Sequence, residues 1–152
     1  MAMNDRRSGR QAGMTLLELL IAVVIVSILA AIIYPSYQAY VVRSNRAVGK
    51  AALLDAAARQ EQYFANNAKY GSGMTQLGYP ANPDPIDRKG GHTATNSIYL
   101  ISVTNPGSAP TRSYTLTAKP QNYQTRDTKC GNLSLTHLGV KGATGTDPRC
   151  WE

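Results

Sequence analysis

The sequence predicts an α+β fold: a long N-terminal α-helix packed on a small antiparallel β-sheet, with a C-terminal disulfide loop. Three observations carry this. An apolar run from Met14 to Tyr34 is followed, beyond Pro35, by a further helical pattern. Residues 97–136 then alternate apolar and polar side chains in short blocks bounded by turn residues. Two cysteines, Cys130 and Cys150, fall late in the chain.

The first stretch organises the rest. A basic tract (Arg6, Arg7, Arg10) precedes Gly13, and the run that follows contains one carboxylate, Glu18. At ~1.5 Å per residue, Met14 to Tyr34 spans roughly 30 Å as a helix, about the hydrocarbon thickness of a bilayer. The flanking arginines predict a cytoplasmic N-terminal end. A carboxylate at the centre of a membrane helix costs roughly 2.5–3.5 kcal/mol on insertion scales and is usually kept for a purpose. Glu18 lies one turn after Met14, near the membrane edge. A cut between Gly13 and Met14 would create an α-amino group at that depth. Pairing of Glu18 with the amine of its own chain, one turn away, would be poorly directed, whereas the amine of a neighbouring chain would pair more directly and set an assembly register.

These residues resemble the processing motif of the type IV pilin (prepilin) superfamily: Gly13-Met14-Thr15-Leu16-Leu17-Glu18 between a basic leader and an apolar helix that reaches Pro35. The resemblance implies a leader, residues 1–13, removed by a prepilin peptidase, N-methylation of Met14, and assembly into a filament. Glu18 matches the family's glutamate and Pro35 its helix-breaking proline. Met14 departs from the phenylalanine usual there. Two rival readings are an ordinary secretory signal, for which Ser27–Ala31 offers a weak cleavage site, and an uncleaved anchor.

The 152 residues suffice for one domain. Sixteen Lys and Arg against nine Asp and Glu give a formal net charge of +7. An excess of that size favours anionic surfaces or DNA. In a chain whose C-terminal side is exported, Cys130 and Cys150 read as one disulfide, stabilising by about 3 kcal/mol in the chain-entropy model. A zinc site using His92 or His137 is the rival, without ligand-like spacing.

The elements follow in order. The domain plan is a transmembrane or filament-core helix over 14–35 and a globular head over 36–152. In the head, an amphipathic helix covers 36–68. Ala47, Ala51, Leu54, Ala58 and Ala65 form its expected inward stripe, with Leu53, Ala57 and Phe64 on the flank. Arg46, Lys50, Arg59 and Gln60 fall off that stripe, and Asp55 pairs with Arg59 at i,i+4. Residues 70–96, rich in Gly and Pro, read as a long connection without periodicity. In pilins the matching region is an αβ-loop exposed on the fibre. Strand signals follow at Ser97–Thr104, at Ser113–Ala118 with Tyr114, Leu116 and Ala118 on one face, and at Asn132–Thr136 with Leu133 and Leu135 inward. A fourth short strand is expected at Leu138–Lys141. The region 97–152 thus holds the antiparallel strands and the disulfide loop.

The tail also resembles pilins, Cys130 and Cys150 matching the family's C-terminal disulfide loop. Residues 51–64 and 130–135 resemble minor pilins of the PilE type. Implied partners are other pilin subunits, the prepilin peptidase, the inner membrane and the pilus assembly machinery. The implied locations are the bacterial inner membrane, with the head periplasmic, and then the cell-surface pilus. No catalytic constellation or metal-ligand spacing stands out, so no enzymatic activity, cofactor or metal is expected. His92, in a polar loop, and His137, at a strand end, read as solvated.

The function expected is that of a structural subunit of a type IV pilus, a minor pilin taking part in assembly or priming. A major pilin, a type II secretion pseudopilin and a DNA-receptor minor pilin are the alternatives. For DNA, the candidate contacts are Arg112, Lys119, Arg126, Lys129 and Lys141, with Arg149, near Tyr114, Tyr123 and Trp151.

Overall fold

The computed structural model of the chain describes residues 13–105 and 112–152. The leader arginines and the Pro106-Gly107 turn lie outside the described residues. The chain divides into two units, Met1–Gln38 and Ala39–Glu152. One helix, α1 (Leu16–Asn67), contributes to both.

In the first unit, residues 13–37 are all exposed. Here α1 is long and apolar enough to cross a membrane. Its start is fixed by Thr15, whose Oγ1 accepts the Glu18 backbone N–H at 3.2 Å. Thr15 and Glu18 have the spacing of a capping box, which also places an acid in the first turn, where the helix dipole favours it. The hydroxyl of Ser27 is satisfied locally, donating to the Val23 carbonyl at 2.7 Å. Pro35 lies inside α1 rather than breaking it. Proline removes one backbone donor, and the surrounding hydrogen bonds carry the helix past it.

The second unit is the α+β head. Strands β1 (Asp84–Ile86), β2 (Tyr99–Thr104), β3 (Thr115–Pro120), β4 (Leu133–Thr136) and β5 (Lys141–Ala143) form one sheet in chain order. Every neighbouring pair is antiparallel. Alternation puts Tyr99, Ile101, Val103, Leu116, Ala118, Leu133 and Leu135 in the core, the inward set expected for β3 and β4 included. Ser and Thr occupy most of the alternate positions, which are exposed or half-buried.

The inward face of α1 differs from the expected one. Ala47, Ala51, Leu54, Ala58 and Ala65 are all exposed. Buried instead are Asn45, Arg46, Gly49, Leu53, Ala56 and Gln60. The face is turned by one residue, about 100° around the helix. Hydrophobic periodicity misleads here because the buried face carries polar groups that find partners, and a glycine chosen for space. A Cβ on Gly49 would lie 2.8 Å from Cε2 of Tyr99, so the glycine lets the tyrosine ring lie against the helix.

The segment 70–96 also carries more structure than its composition suggests. Met74, Leu77, Tyr79 and Ile86 join the core. A 3₁₀ turn covers Met74–Leu77, and β1 adds an edge strand. Gln60 clamps the segment's start: its Oε1 accepts the Gly71 N–H at 2.8 Å and its Nε2 donates to the Gly71 carbonyl at 3.0 Å. Long-range bonds of this kind leave no periodic trace. The last strand is shifted too. Leu138 and Val140 are exposed in the connecting turn, where Gly139 adopts φ +74°, and pairing resumes at Lys141.

Candidate nucleic-acid interface

The outer surface of the head is positioned by a buried polar anchor. Arg46 donates from Nε to Asp127 Oδ2 at 3.0 Å and from Nη2 to Oδ1 at 2.8 Å, a two-pronged pair. Both partners are buried. Gln124 Nε2 donates to the Val42 carbonyl at 3.1 Å, the Tyr99 hydroxyl at 3.0 Å and Asp127 Oδ2 at 3.3 Å. Burial pushes the Tyr99 hydroxyl up to about 12; Asp127 adds to the rise, while the Gln124 hydrogen bond and Arg46 oppose it. Together these groups fix the 3₁₀ turn Asn122–Arg126 to α1. The turn's other side carries Tyr123, with the Arg126 guanidinium 4.8 Å from its ring centroid.

The second anchor is the Cys130–Cys150 disulfide. It removes the zinc reading, since both thiols are consumed. Around it, the Gly145 N–H donates to the Cys130 carbonyl at 2.9 Å and the Asp147 N–H to the Lys129 carbonyl at 3.2 Å. Gly145 is required for space: a Cβ there would collide with the Lys129 carbonyl. Trp151 Nε1 donates to the Gly142 carbonyl at 2.8 Å, and the Lys141 ammonium sits 5.6 Å from the indole centroid. Asp147 accepts the Arg149 N–H at 3.0 Å, and this bond chiefly holds its carboxyl below the usual range.

The structure therefore sorts the candidate contacts. Lys129, Lys141 and Arg149 gather around the disulfide with Trp151. Arg126 stands on Tyr123. Lys119 lies on the exposed side of β3, opposite Leu100 in β2. Arg112 precedes β3 and is exposed. Tyr114 is no surface platform. It is buried, with its hydroxyl 3.3 Å from Glu61 Oε1, and burial, then Glu61, hold that hydroxyl well above the ordinary phenol range.

The histidines also differ from expectation. His92 Nδ1 lies 2.6 Å from Oδ2 of the buried Asp84. Its ring meets Tyr79 edge-on at 5.4 Å. His137 is half-buried, 6.2 Å from the Tyr114 ring. The expected Asp55–Arg59 pair is present at 3.0 Å, with Arg59 also stacked 4.4 Å over Tyr79.

Two cations escaped the sequence reading. Arg88 and Lys89 line a groove with Tyr123. Their signal was a turn motif, Asp87-Arg88-Lys89-Gly90-Gly91, in which the Asp87 carboxylate accepts the N–H groups of Lys89 (2.7 Å) and Gly91 (2.8 Å). Such a turn holds adjacent cations outward.

With a helix-backed sheet and a basic, disulfide-stapled surface established, the likeness to known proteins becomes informative. The family described as "Type IV minor pilin ComP, DNA uptake sequence receptor" matches residues 35–134. The chain belongs to this family of type IV minor pilins. The pilin also carries the prokaryotic N-terminal methylation motif over residues 8–34. The type IV major pilin protein PilE1 of Neisseria gonorrhoeae is 37% identical over 81 residues, 52% of this pilin and 48% of the relative. The type IV wide pilus major component PilA4 of Thermus thermophilus is 36% identical over 93 residues, 59% of this pilin and 71% of the relative. The pilin thus spans about half the length of the gonococcal relative. A solved type IV pilin from Shewanella oneidensis aligns at a TM-score of 0.44 and 23% identity, over 72% of this pilin and 98% of that chain.

Proposed function

We propose that this minor pilin receives DNA on the surface of a type IV pilus. Residues 1–13 are removed after Gly13, Met14 is methylated, and the apolar part of α1 holds the subunit in the inner membrane, N-terminus inward, until assembly. A bilayer and a bundle of apolar helices are about equally apolar, so transfer between them meets little hydrophobic penalty. Glu18 then pairs with the terminal amine of a neighbouring pilin and sets the register.

The observation that supports the DNA reading is the imbalance of charge on the head. From residue 39 onward, thirteen Lys and Arg face seven Asp and Glu. Asp55, Asp84, Asp127 and Asp147 are each paired internally. Lys119, Lys129 and Lys141 are exposed and enter no ion pair among the described residues. Cations of that kind neutralise phosphates and release counterions. The family's own description as a DNA uptake receptor supports the same reading.

Binding of the mature chain in detergent micelles to a duplex should weaken steeply with salt, by at least about tenfold between 50 and 200 mM. Salt-independent binding, or none, would sink it. A major-pilin role is the second reading, favoured by the names of the gonococcal and Thermus relatives. Subunit stoichiometry in sheared fibres, measured by mass spectrometry, separates the two.

A further inference from the structure

A groove of about 490 Å³ opens between the Asp87–Gly91 turn and the 3₁₀ turn at Asn122. Its walls include Asp87, Arg88, Lys89, Asn96, Asn122 and Tyr123. Asp87 Oδ1 accepts the N–H groups of Lys89 and Gly91 inside its own turn, which fixes the carboxylate at the groove wall. Arg88 and Lys89 form no ion pair among the described residues. Asn122 Nδ2 donates to the Ser97 carbonyl at 2.8 Å and ties the two walls together. Asn96 and Asn122 both hold left-handed backbone, φ +57° and +48°. Only Ala68 shares that state among the described residues other than glycine. The carboxamide of Asn96 is exposed and makes no intramolecular hydrogen bond among them.

The chemistry of this groove differs from that of the disulfide surface. Around Lys129 and Lys141 the exposed cations suit phosphate, and the aromatic ring there, Trp151, is half-buried, meets the Lys141 ammonium and donates to the Gly142 carbonyl. The groove instead sets a carboxylate, two carboxamides and a phenol ring beside two cations. A carboxylate repels phosphate but accepts from the amino group of a base, and carboxamides meet base edges in both senses. Shape separates the remaining choices. A duplex groove is read by something that protrudes from the protein, such as a helix or a ribbon. A concave site suits a base that has left its stack and lies on an aromatic ring.

We propose that this groove takes one unpaired nucleotide of a DNA strand, its base beside Tyr123 and Asn96 and its phosphate on Arg88 and Lys89. The inference rests on the DNA reading above and narrows it. The cations near the disulfide hold the flanking backbone, and the groove selects strands with a base out of the helix.

The test uses the full mature chain in detergent micelles and two probes: a paired duplex of about twenty base pairs, and the same duplex with one bulged nucleotide. The bulged probe should bind about tenfold tighter, within the range that base–aromatic stacking supplies. Tyr123→Ala should bring that ratio to near one. Asn96→Gly keeps the left-handed backbone and should reduce the ratio by roughly threefold, which guards against a Tyr123 variant that misfolds. Lys129→Ala should weaken both probes alike and leave the ratio in place. Equal affinity of the wild type for the two probes, or a ratio that survives both groove substitutions, overturns the groove while DNA binding stands. Binding of neither probe overturns both.

Discussion

The two parts of α1 bury nothing in common. Up to Gln38 its side chains are apolar almost throughout and none is buried; from Ala39 its buried face holds Asn45, Arg46, Gly49 and Gln60 beside only Leu53 and Ala56. The first part is apolar on nearly every side and long enough to cross a membrane. The second part meets a sheet at one angle only, and its buried polar groups specify that angle. Hydrophobicity describes the first part well and the second badly.

The largest expected effect tests that specification. Arg46→Ala leaves the Asp127 carboxylate buried and unpaired, at a cost of about 3–5 kcal/mol. Denaturation in detergent micelles, followed through the single tryptophan Trp151, reads the loss directly. The double substitution Arg46→Met with Asp127→Leu should recover most of the stability, because no charge is left stranded. If Arg46→Ala proved neutral, the pair would not be the anchor described.

Next comes a pair of leucines one residue apart. Leu53→Ala empties a site that is 0% exposed and should cost about 3 kcal/mol. Leu54 is 53% exposed, and Leu54→Ala should change head stability by less than about 0.5 kcal/mol. A larger loss at Leu54 than at Leu53 would mean that the helix sits in the orientation its apolar stripe implies.

The alkaline limb is a smaller effect. The Tyr99 hydroxyl, held near 12 against an ordinary 10, keeps its proton when the unfolded chain has lost it. A folded-state value raised in this way stabilises fully below pH 10 and is lost as pH rises through about 12. The loss attributable to Tyr99 is on the order of 2 kcal/mol. Unfolding at pH 9 and at pH 11.5 measures it, and Tyr99→Phe should flatten that step without abolishing it, since Tyr79 and Tyr114 are raised as well.

What could be read from the sequence follows the same division. The apolar run, the alternating strands β3 and β4, and the Asp55–Arg59 pair all depend on local spacing, and each stands in the structure. The turned face of α1, the edge strand at Asp84, the Gln60 clamp and the Asp84–His92 contact depend on partners far away in sequence. Composition is blind to such partners. At the candidate site, Arg126 with Tyr123 and Lys141 with Trp151 could be suspected as basic–aromatic pairs. Tyr114, which faces inward with Leu116 and Ala118 as the alternation implies, is no surface ring for DNA because it fills the core and its hydroxyl meets Glu61. Arg88 and Lys89 could have been found from their Asp-initiated turn.

The smallest expected effect on the head comes from Glu18, and it separates two roles. Glu18→Ala should leave the head's unfolding unchanged within about 0.5 kcal/mol, since the residue is exposed and outside the head. Its spacing three residues after Thr15 is that of a capping box, in which a Glu or Gln side chain would serve the helix start, while its charge suits a neighbour's terminal amine. Glu18→Gln keeps the first role, because a carboxamide serves in a capping box, and removes the second. If register is set by charge, both variants should insert in the membrane yet be depleted from sheared pili to a similar degree. Should Glu18→Gln enter fibres normally while Glu18→Ala does not, the start of the helix is what matters, and the ion pair between subunits falls.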